Sequence, residues 1–286
     1  MGKFTGIILV SDFDGTFYCG VKESHSKNAA AVEKFKSLGG LFAFATGRDY
    51  HSFLEIEPDF ENIANAPVII SNGTRLYDTV KKEYILNCAL DMNLFIKFLE
   101  IIYKKYPDIG VRFSCENDLV IPNLNDNIKS DIKHDFMQTT PIREMSLKEL
   151  IKSGEKVYKC VMIHNPEIID SVREIAENFC KSNDSNNGIF FTRTFARGFE
   201  AVNKDASKGA SALKLKEYLN VRDNKKYKLF AIGDYDNDFD MLKFADVGAA
   251  PENALDYVKQ AAQVITVSCK DGAVADFIEI IGRDYV

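Results

Sequence analysis

The sequence predicts an α/β protein: a doubly wound, Rossmann-like parallel-sheet core with an inserted α+β cap domain. Three observations predict it. Residues 7–11, 41–45 and 67–70 are short, mainly apolar runs without alternation, the pattern of strands covered on both faces. They alternate with helical stretches, and this alternation stops near residue 75 and resumes after residue 201. The chain between has its own amphipathic stripes and is too long to be a structureless loop.

In chain order, the first segment reads as strand 7–11, helix 26–38, strand 41–45, a short helix from about residue 50, and strand 67–70. A hairpin over 75–86 leads into helix 91–105, where Met92, Phe95, Ile96, Leu99 and Tyr103 form one stripe. Two strands within 110–121, a helix near 146–152, strand 156–163, helix 167–181 and strand 188–194 follow. The Ser/Asn-rich stretch 181–188 reads as a surface loop. The last segment resumes with helix 207–219, strand 228–232, helix 237–243, strand 246–249, helix 252–261, strand 263–267 and helix 272–281. The expected division is a split core, 1–78 and 199–286, around a cap at 79–198.

Length and charge narrow the function. At 286 residues the chain can bury a full core without staples. A formal net charge of −6 and the lack of any basic run argue against nucleic-acid or acidic-membrane partners and favour a small soluble substrate. No apolar run approaches the roughly 18 residues of a membrane span, and no signal-peptide pattern opens the chain, so a cytoplasmic location is expected. The six cysteines are scattered without a C-x-x-C pair and read as small core residues, with Cys19 the one that could line a cleft. The four histidines show no metal-ligand spacing.

The chemistry lies where strands end, as expected for ligands of an open parallel sheet. The first run stops at Asp12-Phe13-Asp14-Gly15-Thr16, whose alternation lets both carboxylates enter one crevice while Phe13 turns back into the packing. The second stops at Thr46-Gly47-Arg48, a hydroxyl, a turn and a guanidinium suited to phosphate oxygens. The run at 228–232 stops at Gly233-Asp234-Tyr235-Asp236-Asn237-Asp238, a dense set of hard oxygen ligands that implies a metal site. Oxygen-only ligands beside a phosphate favour Mg²⁺ over zinc. Ser207-Lys208-Gly209 opens a helix and supplies a cation. Asn72-Gly73 is a turn signal that could face the same cleft. Each motif alone has an ordinary reading as a cap, a turn or a solvated charge. Their recurrence at successive strand ends points to a phosphate site.

Taken in order, Asp-Phe-Asp-Gly-Thr, Thr-Gly-Arg, Lys-Gly and Gly-Asp-x-x-Asn-Asp resemble the motifs of the haloacid dehalogenase superfamily, and the insert's position resembles that of its Cof-type phosphatases. The segments Pro251–Ala254 and Asp271–Val274 resemble the closing region of that family. The resemblance implies that Asp12 is a nucleophile forming an aspartyl-phosphate and Asp14 the general acid/base. It implies that Thr46, Gly47, Arg48 and Lys208 bind phosphate, with Lys208 also offsetting charge on Asp12. Mg²⁺ would be held by Asp12, the backbone carbonyl of Asp14, and Asp234, with Asn237 and Asp238 as outer support. Two departures, Phe17 and Tyr235, could narrow the entrance. The implied function is Mg²⁺-dependent hydrolysis of small phosphate monoesters, sugar phosphates or related metabolites. The alternatives are a phosphomutase of the same superfamily, a phospho-accepting module and a non-catalytic sugar-phosphate binder. Arg193, Arg197 and His164 are the insert's candidates for touching the leaving group.

Overall fold

The computed structural model describes residues 2–134, 140–182 and 188–286; the central part of the expected 181–188 loop lies outside the described residues. In chain order the elements are β1 (Ile7–Asp12), α1 (Lys22–Ser37), β2 (Leu41–Ala45), α2 (Tyr50–Ile56), α3 (Phe60–Ile63), β3 (Val68–Ile70), β4 (Arg75–Asp78) and β5 (Glu83–Asn87). Then come α4 (Met92–Lys105), β6 (Gly110–Ser114), β7 (Leu119–Ile121), α5 (Asp126–His134), β8 (Ile142–Glu144), α6 (Leu147–Ser153), β9 (Lys159–Ile163), α7 (Pro166–Ser182), β10 (Ile189–Phe195) and β11 (Gly198–Asn203). The chain closes with α8 (Lys208–Asp223), β12 (Lys228–Ile232), α9 (Phe239–Phe244), β13 (Val247–Pro251), α10 (Asp256–Ala261), β14 (Val264–Thr266) and α11 (Ala273–Asp284).

The chain forms two compact units. The first, Met1–Gly47, Glu57–Leu86 and Ser207–Val286, holds an eight-stranded sheet ordered β14-β13-β12-β1-β2-β3-β4-β5. Every pair from β14 to β3 is parallel, and β3–β4 is antiparallel. Strand β1 lies between β2 and β12, so the chain winds outward to one side before the insert and to the other side after it. That makes the carboxyl end of β1 the topological switch point, where such sheets open a crevice.

Alternation along β1 sorts its side chains between two covered faces. Ile8 and Val10 join Ala43, Ala45, Leu229 and Ala231 against Ala212, Leu215 and Leu219 of α8. On the opposite face, Phe13, Phe17, Phe42 and Phe44 form a buried aromatic cluster, and Phe230 packs on Phe277 of α11. Each such ring removed from water contributes about 1.5–3 kcal/mol. Phe17 is fully buried in this cluster, which corrects the expectation that it narrows an entrance.

The second unit, Arg48–Ile56 and Asn87–Ala206, contains an independent six-stranded sheet ordered β10-β11-β9-β6-β7-β8. It is antiparallel except for β7–β8. One face carries Val111, Phe113, Cys160, Met162, Phe199 and Ala201 against Phe95, Leu99 and Ile102 of α4 and Val172, Ala176 and Phe179 of α7. The insert therefore begins near 87 and ends near 206, later at both ends than the expected 79–198, because β5 extends the first sheet and β11 pairs within the second. Among the described residues, no helix is long and apolar enough to cross a membrane.

Candidate active site

The even-numbered residues of β1 face α8, so the same alternation that buries Ile8 and Val10 delivers Asp12 to the start of that helix. Ser207 caps α8, its side chain accepting from Ala210 N at 3.1 Å, and Lys208 occupies the first turn. Lys208 is 1% exposed, and its Nζ donates to Asp12 Oδ1 at 2.6 Å and to Asp238 Oδ1 at 2.7 Å. Burial alone would push the lysine's pKa down, but the two carboxylates outweigh it and hold the ammonium above its ordinary value.

Asp234 follows β12, the neighbour of β1 on one side, and its Oδ1 accepts from Thr16 Oγ1 at 2.8 Å. Gly15 makes this approach possible: its φ is +87°, and a Cβ there would stand 2.5 Å from Asp234 Oδ2. Carboxylate oxygens of Asp12, Asp234 and Asp238 lie within 4.8 Å of one another, close enough to hold a metal ion. Asp238 is already engaged at both oxygens, since its Oδ2 accepts from Asp234 N at 3.0 Å and Tyr235 N at 3.1 Å. It buttresses the loop and anchors Lys208, while Asp12 and Asp234 keep oxygen capacity for a cation.

The charges here are under-compensated. Burial raises Asp12 well above the usual carboxylate range; Asp238, Asp234 and Asp14 add to the rise, and Lys208 opposes it. Burial, with Asp238, also pushes Asp234 up to about 7. A hard cation at this oxygen set would relieve both.

The remaining residues named from sequence divide. Asp14 is exposed beyond the buried Phe13, and its charge acts on Asp12, so the two acids share one locality. Thr46 directly follows Ala45, the register partner of Asp12, and is fully buried, its N donating to Ile69 O at 2.9 Å. Asn237 is buried and donates from Nδ2 to Asn72 Oδ1 at 2.9 Å. Arg48 belongs to the second unit, where its Nη1 donates to Ser52 Oγ at 3.2 Å, whereas Thr46 and Gly47 belong to the first. Within the second unit, Arg193 is paired with Asp170, Arg197 Nη1 donates to Ser130 Oγ at 3.1 Å, and His164 Nε2 lies 3.1 Å from Asp108 Oδ2. Burial pushes the Cys269 thiol up, and Cys19, Asp234 and Asp12 push it further, which keeps it a thiol rather than a nucleophilic thiolate.

Sequence reasoning missed several supports. Thr16 holds Asp234, and Asp240 Oδ1 accepts from Gly209 N at 3.2 Å, fixing the start of α8 against α9. Asn253 donates to Gly15 O at 2.9 Å and accepts from Cys269 N at 2.8 Å, tying the turn after β1 to the closing segment. Such bonds run between residues far apart in sequence, so no local pattern announces them.

This constellation on a doubly wound sheet gathers a buried lysine and several carboxylates at the switch point, an arrangement able to hold a cation beside an anionic ligand. A sequence model of the haloacid dehalogenase-like hydrolases matches residues 9–278, and the chain belongs to that family, in its Cof-type branch. It is 24% identical over 278 residues to 5-amino-6-(5-phospho-D-ribitylamino)uracil phosphatase YitU of Bacillus subtilis, spanning 95% of this chain and 96% of the relative. It is 22% identical over 280 residues to pyridoxal phosphate phosphatase YbhA of Escherichia coli, spanning 95% and 97%. Among solved structures, TM0651 from Thermotoga maritima superposes with a TM-score of 0.70 at 26% identity, covering 96% of each chain. The HAD subclass IIB sugar phosphatase BT4131 shares the fold with a TM-score of 0.76 at 21% identity, covering 96% of this chain and 99% of the other.

Proposed function

We propose that this chain is a Mg²⁺-dependent phosphatase of small phosphate monoesters, sugar phosphates or related metabolites, acting through an aspartyl-phosphate on Asp12. The observation that carries the reading is the buried Asp12–Lys208–Asp238 chain at the end of β1. A lysine clamped on one Asp12 oxygen orients the carboxylate and keeps it available for attack.

In the first half-reaction an Asp12 oxygen bonds to phosphorus as the ester oxygen departs, and Asp14 donates the proton that the leaving alkoxide needs. In the second, Asp14 takes a proton from water, the water oxygen attacks phosphorus, and the phosphorus–Asp12 bond breaks to release inorganic phosphate. Asp14 suits both proton transfers because it is exposed, whereas Asp12 is buried. Lys208 offsets negative charge on Asp12 throughout, and the Thr46 segment, which follows the register partner of Asp12, would receive phosphoryl oxygens. Asp12, the Asp14 carbonyl and Asp234 would hold Mg²⁺, which supplies further compensation for the phosphate and carboxylate charge. At an effective dielectric of about 20, two unit charges roughly 4 Å apart interact by about 4 kcal/mol, so a lysine plus a divalent ion is the size of correction required.

The assay is a screen of sugar phosphates, nucleotides and vitamin phosphates with and without Mg²⁺. EDTA should silence hydrolysis and Mg²⁺ restore it; full activity in metal-stripped protein would refute the metal dependence. The names of the relatives, a ribitylaminouracil phosphate phosphatase and a pyridoxal phosphate phosphatase, support placing both substrate types in that screen.

A stability measurement tests the metal site separately. Asp234 holds its proton up to about 7 in the folded, metal-free protein, against 3.8 for the ordinary carboxyl. The stability this proton contributes is fully present below the unfolded value and is lost as pH rises through the folded one. Mg²⁺ takes the ionised form, so the rise in Tm on adding excess Mg²⁺ should be larger at about pH 8 than at about pH 6. Equal shifts by scanning fluorimetry would show that Asp234 is not a ligand.

A further inference from the structure

The turn after β3 is tied to Thr46, to α8 and to the Asp234–Asp238 loop. Ser71 and Asn72 have φ of +50° and +55°, two successive non-glycine residues in the left-handed region, a conformation that persists only where surroundings enforce it. The enforcing contacts are specific. Asn72 N donates to Thr46 O at 3.0 Å, and Ser211 Oγ, one turn along α8 from Lys208, donates to Gly73 O at 2.6 Å. Asn72 Oδ1 accepts from Asn237 Nδ2 at 2.9 Å. The Asn72 carboxamide also lies flat against Gly47, where a Cβ would stand 3.2 Å from its Oδ1 and 3.3 Å from its Nδ2. Asn72 is 1% exposed and Asn237 7%, so this amide pair is shielded from competing water.

From this geometry we propose that Asn72 is a positioning residue of the phosphatase site. Its backbone fixes the Thr46-Gly47 segment, its carboxamide fixes Asn237, and the pair sets the phosphate-binding segment in register with the Asp234–Asp238 loop. The inference rests on the phosphatase reading and deepens it. A left-handed backbone explains why Asn stands here: it tolerates that conformation better than other side-chain-bearing residues and also supplies an amide. Glycine would keep the backbone and lose only the amide.

That separation gives the test. In Asn72→Gly the turn is retained, so Tm should change little while kcat for p-nitrophenyl phosphate falls about tenfold to hundredfold, as for other supports of reacting groups. Inhibition by orthovanadate should weaken by a similar factor, a readout that a purely structural role would not move. Asn237→Ala removes the other half of the pair and should give the same loss. The double variant should lose no more than either single variant, because both break one interaction. Independent multiplication of the two losses, or wild-type kcat in Asn72→Gly, overturns the proposal. Should Asn72→Gly fail to fold, Asn237→Ala decides alone: wild-type kcat and vanadate inhibition in that variant also overturn it. Wild-type protein that hydrolyses no phosphate ester would instead refute the underlying phosphatase reading, so the two failures are distinguishable.

Discussion

Asp12→Asn should leave a folded protein that turns over p-nitrophenyl phosphate at least about 10⁴-fold more slowly than wild type, since a neutral amide cannot form the acyl phosphate. The same substitution should raise Tm. Burial and three neighbouring acids hold the Asp12 carboxyl well above its usual range, so its charge is a net liability in the metal-free fold. Asparagine keeps the shape and an oxygen that can accept from Lys208, while removing that charge. Activity lost together with stability gained is a signature that misfolding cannot imitate. A wild-type rate in the variant would show that the nucleophile lies elsewhere.

Lys208→Met should do the reverse to stability. Lys208 is 1% exposed and bonded to two buried carboxylates, and truncating one partner of a buried charge network costs about 3–5 kcal/mol. Turnover should fall with it, because Asp12 loses its orienting partner. The destabilisation should shrink as pH is lowered, since a proton can replace the missing ammonium on Asp12, whose carboxyl burial already holds above its usual range. Urea unfolding across pH measures this, and a variant as stable as wild type at neutral pH would contradict the charge balance described for the site.

What the sequence made legible follows from locality. Residues 7–12 spell a covered strand ending in an acid, and Lys208 stands immediately inside a capped helix, so both could be placed from neighbours alone. The doubly wound core and its parallel order followed from strands alternating with helices. Strand β11 was missed because Glu200 interrupts its apolar pattern; the charge is tolerated there because Lys159 on the adjacent strand lies 3.5 Å away. Helix α5 was missed because only Ile128 and Ile132 stand on its apolar side, which is too short a stripe to register as a period. Helix α8 runs four residues past the expected end, through exposed Val221, and stops at left-handed Asn224. In the site, Arg48 follows Thr46-Gly47 in sequence but groups with the second unit, and Asn72 read as a turn that could face the cleft, without its partner Asn237. The contacts of Asn72 with Thr46 and Asn237 run across the fold, beyond any window of sequence.

The position of β1 between β2 and β12 also governs when chemistry can exist during synthesis. Asp12 leaves the ribosome well before its lysine partner, which lies 196 residues downstream, and the strand that completes its other flank begins only at Lys228. Until then β1 has an open hydrogen-bonding edge and Asp12 can remain hydrated. The second unit is almost wholly contiguous, and Asn203 Nδ2 donates to Ala89 O at 2.8 Å, joining its two ends. Once folded, that unit acts as a clip that brings the exit of β5 close to the entry of α8. The long separation then closes as if it were much shorter, at an entropic saving of about 0.6 kcal/mol for each halving of the loop. The site is thus assembled from segments on either side of the insert, and a nascent chain stopped before β12 carries Asp12 without the strand that sets its place.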